Sequence, residues 1–89
     1  MYFMARVYVI HYNKRLPTQI PPDVAKNLKE AIEKFLKENP DVKYNGTMWD
    51  PKTGIAICDW EGNKEKIENF MKQLNIPYDE VVEVQPLSL

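Results

Sequence analysis

The chain has 89 residues, enough for one domain (residues 1–89) and not two, and a chain this short buries only roughly 60–65 % of the surface its unfolded form exposes. Its 12 Lys and Arg nearly cancel its 13 Asp and Glu and are mixed along the sequence, which argues against a nucleic-acid partner. No apolar run approaches the ~18 residues of a membrane span, the N-terminus lacks a secretory layout, and the single cysteine fits a reducing compartment, so a cytoplasmic protein without a membrane partner is expected.

Residues Tyr2 to Tyr12 are rich in aromatic and β-branched types and predict a first strand. One face carries Phe3, Ala5, Val7, Val9 and His11; the other carries Tyr2, Met4, Arg6, Tyr8, Ile10 and Tyr12. Neither face is plainly solvent-like, which suits the middle of a sheet. A loop follows, where Pro17, Pro21 and Pro22 remove backbone donors. Pro22 then suits the first turn of a helix over 22–39, with Asp23 at the positive end of its dipole. Val24, Leu28, Ala31, Ile32, Phe35 and Leu36 form its apolar stripe, and Pro40 ends it.

Val42 to Trp49 and Gly54 to Glu61 read as two strands joined by a hairpin loop, in which Pro51 presets φ and Gly54 accepts a positive one. Asn63 is placed to cap a second helix over 63–75, with Ile67, Phe70, Met71 and Leu74 as its buried stripe and Asn75 as a left-handed stop. Val81 to Pro86 supplies the last strand. Two split strand–helix–strand units with right-handed crossovers specify a ferredoxin-like α+β sandwich, βαββαβ. Its antiparallel sheet has the order 4-1-3-2, and both helices cover one face. The other face, with apolar side chains, is expected to be buried in a homodimer or to floor a ligand site.

Three stretches carry a family resemblance: Val9-Ile10-His11, the hairpin from Trp49-Asp50-Pro51 through Gly54 and Cys58 to Glu61, and Asp79-Glu80-Val81-Val82-Glu83-Val84. Together they resemble a family of small ferredoxin-like proteins, nickel-responsive-regulator-like in description. The resemblance implies a dimeric α+β barrel and, in some members, binding of nickel or another divalent metal. Where such members carry further histidines this chain has Tyr12 and the helix Lys64–Leu74, so His11 alone carries over as a metal ligand.

A hairpin register pairing Trp49 with Ile55 puts Thr47 beside Ile57 and Asn45 beside Asp59 on the open face. Met48, Ala56, Gly46, Cys58, Tyr44 and Trp60 then lie under the helices. Taking the first strand as parallel to the third brings His11 to the level of Asp59. A candidate ligand site follows: His11, Asp59 and Asn45, with Trp49 able to stack on a planar molecule. Cys58 reads as a small buried core residue, because burial and a neighbouring carboxylate both raise a thiol pKa.

Three functions compete. The first is a dimeric, non-enzymatic module binding a small ligand or metal. The second is a cofactor-free dimeric-barrel enzyme, monooxygenase- or decarboxylase-like, using His11 as its acid–base group. The third is an assembly protein without a ligand. A surface or interfacial cluster of His11 with carboxylates would favour the first, a deep, partly apolar pocket reaching His11 the second, and a sheet face filled wholly by a partner the third.

Overall fold

Alternation along the strands decides which side of the sheet is covered. In β1 (Arg6–His11) Val7, Val9 and His11 have no exposed surface, while Arg6, Tyr8 and Ile10 between them face outward. The computed structural model describes residues 5–89, so the expected strand positions 2–4 lie outside the described residues. After β1 come α1 (Pro22–Glu38), β2 (Lys43–Trp49), β3 (Ala56–Glu61), α2 (Lys64–Gln73) and β4 (Glu80–Val84). The sheet order is β2-β3-β1-β4 and every neighbouring pair is antiparallel, which is the ferredoxin-like α+β arrangement expected.

One core lies on the helix side. Val7, Val9, Cys58, Trp60 and Val81 from the sheet meet Ile67, Phe70 and Met71 from α2. Trp60 is its centre: Phe35 and Phe70 stack on each other at 4.1 Å and both meet the Trp60 ring edge to face at 6.0 Å, while Tyr44 leans against it at 4.5 Å. α1 docks through Ala31, Ile32, Phe35 and Leu36 only. None of its 17 residues is buried, and Val24 near its start is 49 % exposed.

The register of β2 differs from the expected one by a single residue. Trp49 pairs with Ala56, Thr47 with Cys58 and Gly46 with Asp59, and a bulge at Asn45 restores Tyr44 opposite Trp60. The bulge is possible because Gly46 takes φ +113°. Its consequence is a change of face: Thr47 and Trp49 lie on the helix side, and Met48 is turned outward, 81 % exposed.

The hairpin loop is built on Asp50, whose carboxylate accepts from the Lys52 N–H at 2.9 Å and the Thr53 hydroxyl at 2.7 Å. Asn63 caps α2 by accepting from the Lys66 N–H, and Asn75 beyond it takes φ +54°. Gly54, at φ +81°, does more than turn the chain. Its carbonyl accepts from the Leu16 N–H at 2.9 Å, and a Cβ there would stand 2.1 Å from the Leu16 carbonyl oxygen.

Gly54→Ala therefore combines left-handed strain with a backbone clash, and should cost about 2–4 kcal/mol in urea unfolding. It should also free the Leu16 amide to exchange with solvent. A loss below ~0.5 kcal/mol would mean that the 13–21 segment is not held by this contact.

Candidate functional site

The bulge gathers polar side chains on the covered face that the sequence reading had divided between two. Thr47 Oγ1 on β2 donates to Cys58 Sγ on β3 at 3.2 Å, and Cys58 Sγ lies 3.4 Å from His11 Nε2 on β1. His11 Nδ1 is 2.6 Å from the Pro77 carbonyl oxygen in the α2–β4 connection, and the Tyr44 hydroxyl closes the other end against Thr47 Oγ1. The row crosses three strands without a charge.

Its proton order follows from one end. A carbonyl oxygen only accepts, so Nδ1 carries the imidazole proton and Nε2 accepts from the Cys58 thiol. Cys58 Sγ accepts from Thr47, and Thr47 must then accept from Tyr44. The electrostatics agree. Burial pushes the His11 pKa down, against the Pro77 hydrogen bond and the Asp79 charge, and pushes the Cys58 thiol up, so both stay neutral. Burial likewise raises the Tyr44 phenol.

Above this row lies a cavity of about 240 Å³. Leu16, Ile20, Leu28 and Ile32 form its outer wall, and Tyr44, Thr47, Cys58, Trp60 and Trp49 its sheet side. His11 does not line it; it sits behind Cys58. The Trp60 indole N–H is buried and has no acceptor among the described residues. A second, shallower groove shares Leu16, Ile20, Leu28 and Ile76 and runs out past Val24 and Leu74. The lifted first half of α1 is what leaves this space.

The expected cluster of His11, Asp59 and Asn45 is not formed. β1 is antiparallel to β3, so His11 faces Ala56 at one end while Asp59 faces Tyr8 toward the other, and the two side chains emerge on opposite faces. Asp59 is instead held by Arg6, Nε to Oδ1 at 2.7 Å and Nη2 to Oδ2 at 2.6 Å, and Arg6 keeps its carboxyl below the usual range. Asn45 does meet Asp59, at 3.2 Å, and also Glu61 at 3.1 Å. Trp49 borders the cavity, from the covered side, with its indole N–H on the Pro17 carbonyl at 3.2 Å.

The donor set around His11 does not fit a nickel or zinc site. Both ring nitrogens are engaged, Cys58 is the one other soft donor beside it, and no three His, Cys, Asp or Glu converge among the described residues. Sequence reasoning also missed Asp79, whose carboxylate accepts from the backbone N–H groups of Tyr12, Asn13 and Lys14 and fixes the reversal after β1. Thr47 was legible only with the bulge, and the signal for that was Asn45-Gly46 inside a strand.

No family model and no curated protein matches the chain. Among solved structures it is similar to SCO4226 from Streptomyces coelicolor A3(2), at 24 % identity and a TM-score of 0.66, over 96 % of this chain and 100 % of that one. That likeness shows the fold. No helix among the described residues is long and apolar enough to cross a membrane.

The neutral, buried His11 gives a pH signature. The unfolded chain takes up a proton near pH 6.5 and the folded one only lower, so stability should be full above pH 6.5 and fall as the pH drops toward 5. The depressed carboxylates of Asp41, Asp50, Asp59 and Asp79 lose their contribution only nearer pH 3.8, a separate window. Urea midpoints at pH 7, 6 and 5 should decline in the wild type and stay level in His11→Gln. Equal slopes would show that His11 charges as readily folded as unfolded.

Proposed function

We propose that this chain is a small-ligand-binding module, assembled as a homodimer, whose ligand occupies the cavity between α1 and the sheet. The observation that carries this reading is the cavity itself, apolar on its outer wall and bordered on the sheet side by Tyr44, Thr47, Cys58 and Trp60. Apolar walls supply affinity and a few fixed polar groups supply orientation. The enzyme reading has less support, because His11 stands behind Cys58 with neither nitrogen free. The nickel-responsive-regulator-like resemblance offers a metal instead, but that would need His11 to surrender both bonds and a second copy to bring donors. A reduced, buried Cys58 is consistent with a cytoplasmic setting.

A second copy is the occupant we assign to the open face. Met48, Ile57 and Ile10 form one cross-strand row there, with Met48 81 % and Ile57 40 % exposed. The Arg6–Asp59 pair with Asn45 and Glu61 lies beside that row and would form a polar rim.

Naphthalene, as an uncharged probe, should bind with a Kd on the order of 10–100 µM by calorimetry, equivalent to about 5–7 kcal/mol. Leu28→Trp, which fills the cavity, should weaken it at least tenfold. Failure of naphthalene to bind, or binding indifferent to Leu28→Trp, removes the cavity from the function. For assembly, light scattering should give twice the 10.5 kDa chain mass, and Ile57→Lys should halve it. A wild-type monomer at all concentrations would leave the open face without its partner.

A further inference from the structure

Cys58 combines two properties that a filler side chain does not need. It turns to the helix side of β3, where it lines the cavity, and it keeps 8 % of its surface open. Its sulfur also belongs to a set of three: Sγ lies 3.4 Å from His11 Nε2, and His11 Nδ1 lies 2.6 Å from the Pro77 carbonyl oxygen. That is the order of a nucleophile, a base and a group that orients the base. Because Nδ1–H donates to Pro77, Nε2 is unprotonated and aimed at the thiol. Thr47 Oγ1 donates to the same sulfur at 3.2 Å and would stabilise the negative charge that develops there during attack.

We propose that Cys58 captures uncharged, apolar electrophiles that enter the cavity, of the α,β-unsaturated carbonyl class, as covalent adducts with His11 as the base. The proposal rests on the ligand-binding reading above and adds a bond to it. A bond forms between Sγ and the β-carbon, the carbon–carbon π bond breaks, and the thiol proton passes to Nε2. That proton then goes from His11 to the α-carbon, so the addition is complete without a leaving group or a co-reactant. Burial raises the thiol pKa, so no thiolate waits in the resting protein. The proton must leave as the bond forms, which is the task of a neutral imidazole beside it. No Lys, Arg, Asp or Glu lines the cavity, and an ion there would lose its hydration with nothing to replace it. The volume of about 240 Å³ exceeds the about 150 Å³ of a cavity that accepts benzene, so a neutral ring has room beside the sulfur.

N-phenylmaleimide and its para-carboxylate carry the same reactive double bond and differ by one charge. Intact mass should show one adduct on the folded wild type with N-phenylmaleimide and none on Cys58→Ala. The neutral reagent should react about tenfold faster than the carboxylate, or more, and the two should differ by less than about twofold on the urea-unfolded chain. Bound naphthalene should slow the reaction by competition. Asp79 is the charged group acting on His11 and Cys58 the titratable one beside it, and the imidazole stays neutral above pH 7. The wild-type rate should therefore change less than about threefold between pH 7 and 8, whereas His11→Gln should show thiolate behaviour, about tenfold per pH unit. Should that variant not fold, the wild-type profile decides alone. Labelling at one rate whatever the reagent and its concentration would mean that Cys58 is reached only when the chain opens. A wild-type rate climbing about tenfold per pH unit would remove His11 as the base. Either result overturns covalent capture, and if naphthalene still binds, the cavity stands as a reversible site. Entry of neither naphthalene nor N-phenylmaleimide would overturn the ligand-binding reading as well.

Discussion

Trp60 sets the spacing on which the rest of the covered face depends. Its ring receives Phe35 from α1 and Phe70 from α2 edge to face, and those two stack on each other. The second half of α1 is thereby fastened, while Val24 and Leu28 in the first half reach no part of the buried cluster. A helix is too stiff to bend down over one turn without a proline or an inserted group. The gap under its first half is therefore a consequence of the aromatic contact under its second. In a domain of 89 residues, where burial is scarce, such a gap costs dispersion contacts that a larger side chain could have filled.

The polar row under that gap is a second constraint, and it is unusual for being neutral throughout. Burying a lone imidazole or thiol without partners would be costly, and each here has two. Satisfaction is bought from outside the sheet: the Pro77 carbonyl, whose own amide donates nothing, accepts the His11 proton. Pro77 thus links the α2–β4 connection to β1 from the covered side, while the Asp79 carboxylate binds the same end of β1 through Tyr12, Asn13 and Lys14. Two residues apart, one carbonyl and one carboxylate hold the chain reversal and the histidine.

The element order, the sheet order, the hairpin loop and both helix stops were legible, because each has a local cause: Pro22 starting a helix and Pro40 ending it, Pro51 and Gly54 turning a hairpin, Asn63 capping, Asn75 at positive φ. The site was legible only in part, since faces depend on parity and parity on register. One extra residue at Asn45 carried Thr47 and Trp49 to the covered side and Met48 to the open one. His11 was a different error. It shares parity with Val7 and Val9, which points to the core, and only the assumption of parallel strands set it beside Asp59. Antiparallel pairing to β3 reverses that level, and parity with Val7 and Val9 sets the face.

β3 separates the two faces residue by residue. Ala56, Cys58 and Trp60 turn toward the helices, Ile57, Asp59 and Glu61 toward the open side. A partner covering Ile57 and a ligand touching Cys58 and Trp60 would press on opposite sides of one strand without sharing a side chain. β3 is also hydrogen-bonded on both edges, to β1 and β2, so it has little freedom to slide. Coupling between the faces would need two discrete arrangements of the strand, and the one place where its ladder is already broken is the bulge at Asn45, whose amide holds Asp59 and Glu61 on the open side. From there the backbone runs through Gly46 to Thr47, the second member of the buried row. Asn45, Gly46 and Thr47 thus join the open-face polar cluster to the buried row through three successive residues of β2.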